Sequence, residues 1–148
     1  MNFNLYSTNL FIILDIIKPY WIHFTGIGDP DVGFISVAQS KVHVPFTIQR
    51  LYWVYDTPDS IERGHHAHIS TQQVLIAIEG KIEINLENQE GDYSTFNLES
   101  PEMGLYVPPL HWRRLQFSPK AILLSIVSTD FNENDYIRSY DVFKKYRF

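Results

Sequence analysis

The chain has 148 residues, a formal net charge of −5, no cysteine, and an aromatic-rich composition with nine Tyr, ten Phe and three Trp. That length suits one domain with a sizeable core. The absence of cysteine excludes disulfides and thiolate metal sites, and the acidic balance argues against nucleic-acid or anionic-membrane partners. The apolar run at residues 10–17 carries Asp15 in its middle and is too short to span a bilayer. It also lacks the basic start and small-residue cleavage site of a secretory signal. Residues 1–19 are therefore read as an apolar N-terminal extension, for which a partner subunit is one candidate cover. Residues 20–148 are read as a single domain, and the expected location is the cytoplasm.

From Tyr20 onward, short strands alternate with turn signals. Residues 21–24 predict a first strand, followed by a turn through Gly26, Gly28 and Asp29-Pro30, and then a strand over 32–38. Residues 47–55 predict an aromatic-rich strand with Arg50, Tyr52 and Val54 on one face and Leu51, Trp53 and Tyr55 on the other. A turn at 56–60 leads to E-R-G-H-H-A-H-I at 62–69, and then to an apolar strand over 74–78 closed by Glu79-Gly80-Lys81. Residues 81–86 alternate polar and apolar, as a half-exposed antiparallel strand should. Further strands are predicted at 94–98, 104–107, 113–117 and 121–128. Over 132–146 the order of acids before bases, with Tyr136, Tyr140 and Phe143 near one face, predicts a terminal helix. Many short strands with no helix between them predict an all-β protein, a sandwich or barrel, with a short C-terminal helix.

Three of the six histidines fall within 65–68. If that stretch is extended, His66 and His68 share a face, while His65 and Ala67 share the other. The pattern resembles that of cupin-type jelly-roll β-barrels, in which H-x-H precedes a glutamate and, six residues later, a glycine. Here Gln73 stands in the glutamate's place before Gly80, and Arg113 stands where a second motif supplies another histidine. A neutral amide and a cationic guanidinium are poor metal ligands. No metal is therefore expected, and an acid/base role for His66 and His68 is favoured over buried structural histidines.

Longer strings extend the resemblance. P-F-T-I-Q-R-L-Y at 45–52, R-G-H-H-A-H at 63–68, Q-V-L at 73–75, S-P-E-M-G-L-Y-V at 100–107 and the run from Ser128 to Tyr146 containing D-Y-I-R-S-Y-D resemble the dTDP-4-keto-6-deoxyglucose 3,4-ketoisomerases, a metal-independent, WxcM-like or FdtA-type cupin branch. The resemblance implies a cupin barrel and a nucleotide-linked keto sugar as substrate. The ketone would move from C4 to C3 through an enediol(ate), with no cofactor, in deoxyaminosugar biosynthesis. It implies His66 and His68 as the catalytic acid/base pair, without assigning which takes the C3 proton. Arg63 and Arg50 become candidates for the diphosphate, Tyr52 for sugar or phosphate, and Gln73 for orienting a histidine or the sugar. Trp112 becomes a candidate for stacking on the base, and Arg113 for an enediolate oxygen. Ile69 and Arg113 stand where the family often has Lys and His. A homodimer with exchanged N-terminal strands is also implied. The alternatives are a non-catalytic cupin that binds a sugar nucleotide, a sugar-nucleotide epimerase, and a metal-dependent oxygenase.

Overall fold

The computed structural model describes residues 18–147. Its strands are β1 (Tyr20–His23), β2 (Gly26–Asp29), β3 (Gly33–Ser36), β4 (Arg50–Val54), β5 (Arg63–His68), β6 (Gln73–Glu79), β7 (Ile82–Glu87), β8 (Tyr93–Leu98), β9 (Met103–Val107), β10 (Trp112–Phe117), β11 (Ile122–Val127) and β12 (Tyr136–Ile137). One helix follows, α1 (Tyr140–Lys145). One antiparallel sheet has the order β1-β9-β6-β11-β4, the second β12-β5-β10-β7-β8, and β2 and β3 form a separate hairpin. From β4 to β11 the chain crosses between the two facing sheets at every step except the β7–β8 hairpin, in jelly-roll order. The all-β class is as expected, but the two sheets do not hydrogen-bond into a closed barrel. No helix of the described residues is long and apolar enough to cross a membrane.

Alternation explains most of the packing. In β7, Ile82, Ile84 and Leu86 are buried, and they meet Leu75, Leu105 and Leu123 of the opposite sheet together with Leu115 and Phe117. Each such side chain contributes about 1.5–3 kcal/mol when fully withdrawn from water. The unbroken apolar run of β6 has a different cause, because both faces of that strand are covered. Leu75 and Ala77 face the inner core, while Val74 and Ile76 pack beneath Phe24, Val44 and Phe46 on the outer side. β4 lies at a sheet edge, with Arg50, Tyr52 and Val54 half-buried on one face and Leu51 and Trp53, like Tyr55 just beyond the strand, exposed on the other.

Two segments depart from the sequence expectation. The turn expected at residues 26–30 falls later: Gly26–Asp29 is strand β2, paired with β3. The reversal is made at Asp29, whose Oδ1 accepts from the backbone N–H groups of Asp31 and Val32 at 2.9 and 3.2 Å. In the tail, only α1 is α-helical. Asn132 caps a 3-10 turn at Glu133–Asp135, and Tyr136 and Ile137 then join β5 opposite His68 and Ala67. The tertiary edge of β5 overrides the local helical pattern there. Ser139 caps α1, and Phe143 is buried against Ala67, Trp112 and Ile137 on the outer face of the second sheet. The N-terminal extension over 1–19 lies almost wholly outside the described residues.

Candidate active site

A cavity of about 440 Å³ opens between the sheets, lined at its polar end by Arg50, Tyr52, Arg63, His66, Gln73, Arg113, Tyr136 and Arg138. β4 delivers Arg50 and Tyr52 by alternation. β5 delivers its residues through a bulge: Arg113 lies opposite His66 and Arg114 opposite Gly64, so His65 is an extra residue in the ladder. Gly64 and His65 both have positive φ, +98° and +53°. A Cβ on Gly64 would lie 2.6 Å from the Arg113 carbonyl oxygen, so only glycine fits there. The extra residue changes the parity of the strand. Arg63 would otherwise share the face of His65; instead it lines the cavity with His66, while His65 is exposed and lies 3.3 Å from Glu62.

The imidazoles of His66 and His68 are 5.1 Å apart between centroids and nearly perpendicular, and the Tyr136 ring lies against both. His66 Nδ1 is 2.9 Å from the Gly64 carbonyl oxygen. A carbonyl only accepts, so Nδ1 carries the proton and Nε2 is left with its lone pair. Burial, with the Arg113 charge second, lowers the His66 pKa from 6.5 to about 4, so the ring is neutral at pH 7. The same two causes hold His68 still further below the ordinary range. His68 is 1% exposed and lies behind His66 rather than on the cavity wall. Its Nδ1 is 3.2 Å from Asp135 Oδ2, although neither ring nitrogen has an aligned hydrogen bond.

Arg113 is 2% exposed. Its Nη1 donates to Gln73 Oε1, while Nε and Nη2 have no partner. Gln73 Nε2 in turn donates to Tyr52 OH at 2.9 Å and to Ser125 Oγ at 3.1 Å. Gln73 therefore positions Arg113 and Tyr52, not a histidine. Arg50 lies over Tyr52 and Phe131 at 5.7 and 5.5 Å. Among the described residues Arg50, Arg63 and Arg113 have no carboxylate within ion-pair distance, whereas Arg138 is paired with Glu133 at 2.6 Å. Three unneutralised guanidiniums on one cavity suit a polyanionic ligand.

Trp112 is the candidate that the fold separates from the others. It neighbours Arg113 on β10 and therefore points to the opposite face, where it packs against Tyr140 and Phe143 at 5.4 and 5.7 Å. A base bound in the His66 cavity would not stack on it. Tyr136, Arg138 and Phe131 join the cavity without having been singled out. Tyr136 and Arg138 come from the tail string D-Y-I-R, whose helical pattern hid its pairing with β5, and Phe131 from the loop just before it. His111 is buried with Nδ1 2.9 Å from the Pro109 carbonyl oxygen and does not line the cavity. No three His, Asp or Glu side chains among the described residues converge as a metal-binding group. A second depression, of about 460 Å³, lies on the outer face of the first sheet between Phe34, Ile78 and Pro101. It has neither histidine nor arginine in its lining, so the first cavity is the candidate site.

Known proteins similar to this chain match it over most of their own length. The TDP-4-oxo-6-deoxy-alpha-D-glucose-3,4-oxoisomerase of Aneurinibacillus thermoaerophilus is 36% identical over 127 residues, covering 84% of this chain and 89% of that protein. The crystal structure of QdtA, a sugar 3,4-ketoisomerase from Thermoanaerobacterium thermosaccharolyticum in complex with TDP, is similar with a TM-score of 0.82 and 34% identity, covering 86% of this chain and 92% of that one. A variant of that enzyme in complex with TDP-4-keto-6-deoxyglucose is equally similar, with a TM-score of 0.82 and 33% identity over 86% and 91% of the two chains. Residues 17–148 match the model of the FdtA family, described as WxcM-like, C-terminal, and the chain belongs to that family.

Proposed function

We propose that this protein is a sugar-nucleotide 3,4-ketoisomerase that converts a TDP-linked 4-keto-6-deoxyhexose to its 3-keto isomer. The observation that carries the reading is His66: a neutral imidazole with its Nδ1 proton tied to a backbone carbonyl, on the wall of a cavity rich in guanidinium. His66 Nε2 takes the C3 proton, which the neighbouring C4 carbonyl acidifies. Negative charge then develops on the C4 oxygen, where the unpartnered N–H groups of Arg113 are suited to receive it. The enediolate loses its O3 proton, the C4 oxygen gains one, and C4 is protonated. His66 meets the sugar, and His68, buried behind it with ring centroids 5.1 Å apart, completes the acid/base pair as the second proton carrier. The atoms balance without oxidation, so no nicotinamide is required. Arg50 and Arg63 hold the diphosphate, and Tyr52, fixed by Gln73, presents its hydroxyl to sugar or phosphate. The 3-keto product suits an amino-transfer step that makes a deoxyaminosugar. Incubation of the chelator-treated protein with TDP-4-keto-6-deoxyglucose tests the reading. Formation of the 3-keto isomer is expected, and an unchanged 4-keto sugar would count against it.

A pH dependence follows. Unbound His66 stays neutral as pH falls through 6.5 and gains its proton only near pH 4, so the acid limb of kcat/KM for the base is expected near pH 4. Stability moves the other way from a raised histidine. The unfolded imidazole takes up a proton below pH 6.5 while the folded one does not, so this group lowers stability progressively from pH 6.5 towards 4. Thermal melts and initial rates across pH 4–7 check both.

The protein is also inferred to form a homodimer. Leu51 and Trp53 on β4, Tyr55 just after it, Ile78 on β6, and Phe34 and Ile35 on β3 are exposed apolar side chains. A self-complementary apolar patch is the simplest cover for such a face. Sedimentation is expected to give a dimer for the unaltered protein and a monomer for Leu51→Asp/Trp53→Asp. A monomeric unaltered protein would remove the inference. Whether residues 1–17 exchange between subunits lies outside the described residues.

A further inference from the structure

As a member of the acid/base pair proposed above, neutral His68 must hold its one proton on a defined nitrogen, and the tail supplies a group able to define it. β12 pairs with β5 at Tyr136 and His68, which sets Asp135 beside the imidazole, Oδ2 to Nδ1 3.2 Å. The carboxylate cannot swing away. Its Oδ1 accepts from the backbone N–H and hydroxyl of Ser70 at 2.8 and 2.6 Å. Its Oδ2 accepts from the Thr71 hydroxyl at 2.5 Å and the Thr71 N–H at 3.3 Å. The Asp135 backbone is fixed as well, with its carbonyl accepting from the N–H of Ile69 at 2.8 Å. Among the described residues Asp135 is the only acidic group within ion-pair range of His68.

We propose that Asp135 is a positioning residue for the ketoisomerase reaction, accepting a hydrogen bond from Nδ1–H of His68 and so leaving Nε2 as its acceptor nitrogen, an inference that rests on the reading above. A neutral imidazole carries one proton, and a carboxylate oxygen can only accept from it. With the proton on Nε2, the Nδ1 lone pair would face Asp135 Oδ2 in a buried place, an unfavourable contact. With the proton on Nδ1, a small rotation of the ring aligns it onto Oδ2. Burial and the Arg113 charge keep His68 neutral, so the tautomer is the relevant variable.

The test is nitrogen-15 NMR of the histidine side chains at neutral pH, with the His68 signals identified by their loss in His68→Asn. In the unaltered protein the proton is expected on Nδ1. In Asp135→Asn the Ser70 N–H, the closer of the two backbone donors at 2.8 Å against 3.3 Å for Thr71, keeps the amide oxygen on its own side and turns the NH2 towards His68. The His68 proton then moves to Nε2, and kcat is expected to fall at least ~10-fold, towards the ~10²–10⁴ range of lost acid–base catalysis. KM should change little. A purely structural latch would lower the melting temperature and leave the tautomer unchanged. A proton on Nε2 in the unaltered protein overturns the proposal, as does an unchanged tautomer in the variant, or a changed tautomer with unchanged kcat. If Asp135→Asn does not fold, the spectrum of the unaltered protein decides alone. Absence of turnover in the unaltered protein would remove the ketoisomerase reading, while the tautomer, measured without substrate, would still report on the Asp135 contact.

Discussion

Replacing His66 with asparagine is expected to lower turnover of the TDP-linked 4-keto sugar by at least ~10²-fold, the usual worth of a general base, with the fold intact. Asparagine is close in size, and its side chain can still donate to the Gly64 carbonyl oxygen that holds Nδ1 of the histidine. What it lacks is a basic lone pair at the cavity wall. The loss should therefore appear in kcat, and wash-out of the C3 proton in D2O should slow in parallel, because both need the same abstraction. His68→Asn is expected to lose at least ~10²-fold too, since the second proton transfer fails. Steady-state rates and exchange rates for the two variants check this. Full activity in both would remove the acid/base account.

Arg113→Met is expected to reduce kcat by ~10²–10³-fold, the cost of removing one preorganised donor from a developing oxyanion. The effect on stability should be small by comparison. The guanidinium is 2% exposed with two nitrogens unpartnered, so its removal relieves a desolvation penalty while leaving Gln73 Oε1 without its donor. A melting temperature close to that of the unaltered protein, together with a large loss of turnover, would separate an electrostatic role from a scaffolding one. Turnover within a factor of two would place the charge elsewhere in the mechanism.

Strict period-two reading succeeds wherever a strand is regular. It places Ile82, Ile84 and Leu86 inward, separates Arg50 and Tyr52 from Leu51 and Trp53, and puts His66 and His68 on one side. It also separates Trp112 from Arg113, so both could not have served one cavity. It fails at Arg63, because the bulge at Gly64–His65 adds a residue that no alternation pattern contains. The tail was hidden for a different reason. Its acids, bases and aromatics suit a helix, yet the unpaired edge of β5 captures Tyr136 and Ile137 as a strand. That capture brings Asp135, Tyr136 and Arg138 to the site, which only long-range pairing could show.

Proton NMR of TDP-4-keto-6-deoxyglucose in D2O with chelator-treated protein tests the central claim most directly. The account predicts loss of the C3 proton signal and growth of a 3-keto sugar bearing deuterium at C4. Tight binding of the sugar nucleotide with no exchange at C3 would contradict it and leave a protein that recognises the sugar nucleotide without transforming it.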